Sequence, residues 1–201
     1  MSSYGKIAVI DRDENNQSAY DKVFTARVGH EIYFTSMIAK KGIITPIQYT
    51  IDKEYVTPFL AAVHSVGEEE FYISTTERVK EGPNDWLVPL SAVSPDWGLD
   101  NIVDQFGYFQ LVENAIYSVS GKWGIWFSDG DFAVIGGPAD FVDTFYRNLD
   151  KTNEEMVLKF LHDTRDFQPK ARKTILEEYL PNLFGKEETA RYIELYNANY
   201  R

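Results

Sequence analysis

The chain has 201 residues, no cysteine, and a formal net charge of −11 from 20 Lys and Arg against 31 Asp and Glu. The missing cysteines exclude thiol catalysis, disulfides, thiolate zinc and iron–sulfur chemistry. The acidic balance disfavours nucleic acid and anionic membrane surfaces as partners, because both call for a basic face.

In chain order, residues 6–10 form a short β-prone run that ends at polar Asp11. Residues 18–28 place Tyr20, Val23, Phe24 and Arg27 at helical spacing before Gly29, which predicts a short helix. Residues 31–38 carry β-formers, Lys40-Lys41-Gly42 reads as a turn, and residues 43–51 read as a strand whose Pro46 points to an edge or bulge. Asp52 is placed to cap a helix over residues 53–66, in which Pro58 marks either a kink or the real start. Gly67 and three consecutive acids, Glu68, Glu69 and Glu70, then lead into a strand over residues 71–75.

Residues 78–100 are rich in Pro and Gly and hold Trp86 and Trp97. They read as a long loop, either pinned to the core by its indole rings or serving as a binding loop. A helix is expected over residues 99–114. The strongest local signal follows, an antiparallel meander of strands 115–120, 122–128 and 131–135. Asp129-Gly130 is expected to form a two-residue type I′ turn between the last two. Alternation puts Trp123, Ile125 and Phe127 on one face and Trp126 on the other. A helix over residues 139–149 should pack Phe141 and Phe145 on this sheet.

Three more helices are predicted over residues 153–163, 170–180 and 186–197. Thr152 and Glu155 have capping-box spacing at the first, and Pro181 is expected to stop the second. The fold class is therefore α+β, an antiparallel sheet with helices packed on one face. Residues 1–150 form the α+β part and residues 151–201 a helical region packed on it.

No catalytic or cofactor constellation emerges. His30, His64 and His162 are far apart, and no zinc motif, phosphate loop or nucleophile elbow is present. Gly136-Gly137-Pro138 lies between a strand and a helix, where anions bind, but Asp140 and Asp143 would repel a phosphate there. Neither a signal-peptide apolar region nor a membrane-length apolar run occurs, which gives a cytoplasmic expectation.

Ser120-Gly-Lys-Trp-Gly-Ile-Trp-Phe-Ser-Asp-Gly-Asp-Phe-Ala-Val-Ile-Gly-Gly137, followed by Phe141-Val-Asp-Thr-Phe145, resembles a pattern of small bacterial immunity proteins. These are cytosolic antidotes of polymorphic and contact-dependent toxin systems. The resemblance covers residues 120–145 and implies a protein that binds and blocks one toxin without catalysis. The acidic charge and abundant aromatics agree with an inhibitor of a basic, nuclease-like protein, with no cofactor and no metal. The expected contacts are Glu68, Glu69, Glu70, Trp86, Trp97, Asp129 and Asp131. Two other classes stay open. One is a hydrolase or transferase with a scattered carboxylate site. The other is a structural or adaptor domain of a phage or bacterial assembly.

Overall fold

The computed structural model describes residues 6–11, 13–25, 34–47, 51–75, 84–93, 114–128 and 132–200. Among these residues, seven strands form one antiparallel sheet. They are β1 (Ala8–Ile10), β2 (Lys40–Ile44), β3 (Glu70–Thr75), β4 (Asp85–Pro89), β5 (Asn114–Ser118), β6 (Gly124–Phe127) and β7 (Ala133–Gly137). Their order across the sheet is β1-β4-β3-β5-β6-β7-β2. The fold class is α+β, and the predicted meander is its β5-β6-β7 centre.

Helices cover both faces of this sheet rather than the single face expected. On the first face, α2 (Lys53–Ser65) and α3 (Ala139–Leu149) pack against each other and the strands. Their Phe59, Val63, Phe141 and Phe145 meet Phe71, Ile73, Trp123, Ile125 and Phe127. On the second face lie α1 (Glu14–Val23), α4 (Asn153–Asp163) and the C-terminal helices. Val23, Val157, Phe160 and Leu183 meet Tyr117, Trp126 and Val134 there. The alternation of β6 divides Trp123 from Trp126 as predicted. A sheet apolar on both faces must be covered on both, and the C-terminal helices supply the second layer.

Several boundaries follow from chemistry that periodicity does not report. The first helix starts earlier than expected because Asp13 and Asn16 form a capping box. The Asp13 carboxylate accepts from the backbone N–H of Asn15 and Asn16 at 2.8 and 3.0 Å. Lys40-Lys41-Gly42 is strand, not turn, since Gly42 is the only residue type that fits under Tyr146. A Cβ there would lie 2.1 Å from the Tyr146 hydroxyl and 2.8 Å from Asn153 Oδ1. The loop expected at 78–100 contains β4, whose Trp86 and Val88 point into the first core. Helix α2 runs through Pro58 from Lys53, although Asp52 makes no side-chain cap. Asn114 opens β5, and the remainder of the helix expected over 99–114 lies outside the described residues.

The β6–β7 turn also differs. Ser128 N–H donates to Phe132 C=O at 3.0 Å, and Phe127 pairs with Ala133. Three residues therefore lie between the paired positions, not two, and they fall outside the described residues.

Pro181 does not end its helix. α5 (Pro169–Thr174) passes through a π-helical turn at Ile175–Tyr179 into α6 (Leu180–Phe184). Leu180 N–H reaches Ile175 C=O, so the ladder has already slipped when Pro181 arrives in the first turn of α6. A missing N–H costs little at that position. Gly185, with φ of 86°, makes the break before α7 (Lys186–Asn199).

The Thr152 capping box forms as read from the sequence. Thr152 Oγ1 accepts from Glu155 N–H at 3.1 Å, while Glu155 Oε2 accepts from Thr152 N–H at 2.6 Å. Hydrogen bonds from the Thr152 backbone and then its hydroxyl hold the Glu155 carboxyl below its ordinary pKa. A depressed carboxylate adds stability above its unfolded pKa, and that stability is lost as pH falls through the folded value. Thr152→Ala should cost about 1 kcal/mol in urea unfolding at neutral pH. NMR titration should show the Glu155 pKa moving up toward the ordinary value. An unmoved titration would disprove the cap's role.

Candidate functional site

The structure separates the four expected contact residues that it describes into two groups. Trp86 is 1% exposed, paired between Val9 and Ile73 in the first core. Its ring is a core element, which corrects its reading as a loop residue. Glu68 is 9% exposed and turned inward. Its carboxylate accepts from the Ser118 hydroxyl at 2.7 Å, from the Ser120 hydroxyl, and from Trp123 Nε1–H at 2.9 Å. It ties the α2–β3 connection to the β5–β6 turn. Glu69 and Glu70 are exposed. Trp97, Asp129 and Asp131 lie outside the described residues.

The surface around Glu70, expected from the sequence as a contact, extends to residues that sequence reading missed. β3 alternates, so Glu70 and Tyr72 share the second face, where Tyr72 sits half-buried beside Tyr117 at 5.4 Å between ring centres. Tyr20 of α1 meets Tyr117 edge-on, also at 5.4 Å. Burial pushes the Tyr72 hydroxyl pKa up, and the nearby charges of Asp13 and Glu70 push it further. Asp13 at the start of α1 and Glu70 of β3 thus flank one tyrosine. The outer side of α1 continues this surface. Glu14, Gln17, Asp21, Lys22, Thr35 and Met37 line an open groove of 520 Å³. Met37 is 64% exposed, a large apolar side chain that shares this groove with two acids and one lysine. The capping pattern at Asp13 was the one available sequence signal, because helical and strand periods must first be placed before Asp13 and Glu70 can be brought together.

Two hydrogen-bonded networks tie elements to the sheet. Ser74 Oγ donates to Asp85 Oδ1 at 2.5 Å and lies 2.9 Å from the Tyr117 hydroxyl. Ser74 is fully buried, so this serine–aspartate pair meets no substrate. At the far edge, the Tyr146 hydroxyl donates to Ile43 C=O at 2.8 Å. Asn153 Oδ1 accepts from Ile43 N–H at 3.2 Å, and Asn153 Nδ2 donates to Lys41 C=O at 3.5 Å. These two side chains occupy the outer edge of β2 in place of another strand.

Among the described residues no group of three or more His, Asp or Glu is placed to hold a metal ion. Asp13 spends its carboxylate on capping α1. His162 stacks on Tyr200 at 4.8 Å between ring centres. No described helix is long and apolar enough to cross a membrane. No protein-family model matches the chain, and neither does any curated protein or solved structure.

Proposed function

We propose that this protein is a non-catalytic, protein-binding inhibitor, an immunity protein that sits in the cytoplasm and neutralises a basic, nuclease-like toxin. The observation that carries the reading is the acidic surface along α1 and β3. Asp13, Glu14, Asp21, Glu69 and Glu70 present charge there, while half-buried Tyr72 and exposed Met37 offer apolar anchors. Desolvated anchors give an interface its residence time, and the charges around them speed encounter. A net charge of −11 sets the sign of the partner. Glu69 and Glu70 remain in this proposed contact set, whereas Glu68 and Trp86 support it from inside.

The test begins with affinity capture from the producing cells and continues with stopped-flow association of the purified partner. Association should slow steeply as salt rises, because a Debye length of about 10 Å at 0.1 M screens steering between the two surfaces. Glu70→Lys should reduce the association rate several-fold while changing dissociation little, and Tyr72→Ala should do the reverse. An acidic partner, or association indifferent to salt, would sink the proposal.

A further inference from the structure

The cleft beside the closed edge of β2 holds a lysine with an unusual setting. Lys41, Asn153, Asn182, Leu183, Phe184 and Tyr192 are among the residues lining a space of 480 Å³ between β2 and the C-terminal helices. That volume suits a small molecule. Lys40, next along the strand, is spoken for by an ion pair with Asp143. Among the described residues no carboxylate pairs with Lys41.

The one acid that lines the cleft, Glu188, is committed elsewhere. Arg191 grips it through Nε at 3.0 Å and Nη2 at 2.6 Å. Arg191 and Tyr192 hold its carboxyl below the ordinary range. Asn153 is likewise committed, since its amide bonds β2 and the Tyr192 hydroxyl, the latter at 3.3 Å. What remains is a half-buried ammonium, the exposed amide of Asn182, and a small apolar contact from half-buried Phe184, with Leu183 buried behind it.

We propose that this cleft binds a small organic carboxylate, its carboxylate on Lys41 and its apolar body against Phe184. Lys40 lines the cleft too, but Asp143 meets its charge, which leaves Lys41 to match a single negative charge. A phosphate dianion would be left half-neutralised near Glu187 and Glu194, which line the adjoining depression. Burial holds the Lys41 amine below its ordinary pKa, so an anionic partner restores what desolvation has removed. This site is independent of the acidic surface on α1.

The probes are benzoate, acetate and inorganic phosphate, each titrated into the isotopically labelled full chain and followed by amide and lysine side-chain NMR shifts. Benzoate should bind saturably, with shifts centred on Lys41, Asn182 and Phe184, and more tightly than acetate or phosphate. Lys41→Gln should weaken benzoate binding by at least about tenfold. Lys41→Arg should retain it, and Lys173→Gln, at an exposed ion pair outside the cleft, should leave it unchanged. Saturable binding lost in the Gln variant and kept in the Arg variant supports the site even if both lose some stability. Absence of saturable benzoate binding, equal binding by Lys41→Gln, or phosphate binding as tight as benzoate would each overturn the assignment.

Discussion

Phe145→Ala is expected to destabilise the protein by about 3–5 kcal/mol, the usual cost of removing a buried aromatic ring and leaving a cavity. Phe145 is fully buried on α3, stacked on Tyr55 at 6.4 Å and meeting Tyr146 edge-on at 5.6 Å. It joins the two helices of the first face, so its loss loosens α2 and α3 together. For a chain of this size the change corresponds to a drop of roughly 10 °C in the thermal midpoint. Urea unfolding with calorimetry measures it. Hydrogen exchange at β2 should quicken as well, because the neighbouring Tyr146 is the ring that seals that strand. A midpoint equal to wild type would show that Phe145 is not packed between these helices.

Glu68→Ala is expected to cost on the order of 3 kcal/mol, far more than a surface glutamate would. The carboxylate takes the hydroxyls of Ser118 and Ser120 and the indole N–H of Trp123. Removing it strands the buried Ser118 hydroxyl and Trp123 indole N–H where water does not replace it, while exposed Ser120 turns to solvent. Trp123 also stacks on Phe141 at 4.6 Å, so a shifted indole disturbs the first core. Glu69→Ala, one residue on and exposed, should change stability by no more than about 0.5 kcal/mol. Near-UV circular dichroism reports the indole, and chemical unfolding reports the energy. If the two variants unfold alike, Glu68 carries no structural role.

These two residues illustrate what was legible in the sequence. Periodicity placed Phe145 on the core face of its helix correctly, because the stripe Phe141, Val142, Phe145 repeats at helical spacing and every one of these residues is buried. Glu68 belongs to a run of three acids, and nothing in that run says which one turns inward. The difference is set by Ser118, Ser120 and Trp123, some fifty residues away in sequence. β4 was missed for a related reason. Its Pro89 and the nearby Gly and Pro outweighed the alternation of Trp86 and Val88, and only pairing with both β3 and β1 makes it a strand.

Gly124, Gly136 and Gly137, which belong to the segment that carried the resemblance, have a packing explanation. A Cβ on Gly124 would lie 2.6 Å from the ring of Phe24 and from Val23, and one on Gly136 would lie 2.8 Å from the ring of Phe34. Gly124 and Gly136 pair across β6 and β7, and together they form a flat patch on which Phe24 and Phe34 stack at 5.4 Å. On the other face, Gly137 gives Trp123 and Phe141 the room to stack. The motif is thus a record of how α1 and α3 approach the sheet, and the proposed contacts lie elsewhere, along α1 and β3.

The sealing of β2 has a consequence for synthesis on the ribosome. Ile43 is closed by Tyr146 and Asn153, which follow it by 103 and 110 residues. Its inner edge waits as well, for β7. As the chain emerges N-terminus first, Lys40–Ile44 leaves the exit tunnel with both flanks bare, and they stay bare until most of the polypeptide has followed. A nascent chain stalled before Asn153 exposes Ile43 and Ile44 with open amides, the form that recruits chaperones or pairs with a neighbouring chain. The pace of translation between β2 and α4 therefore sets how long that edge stays open.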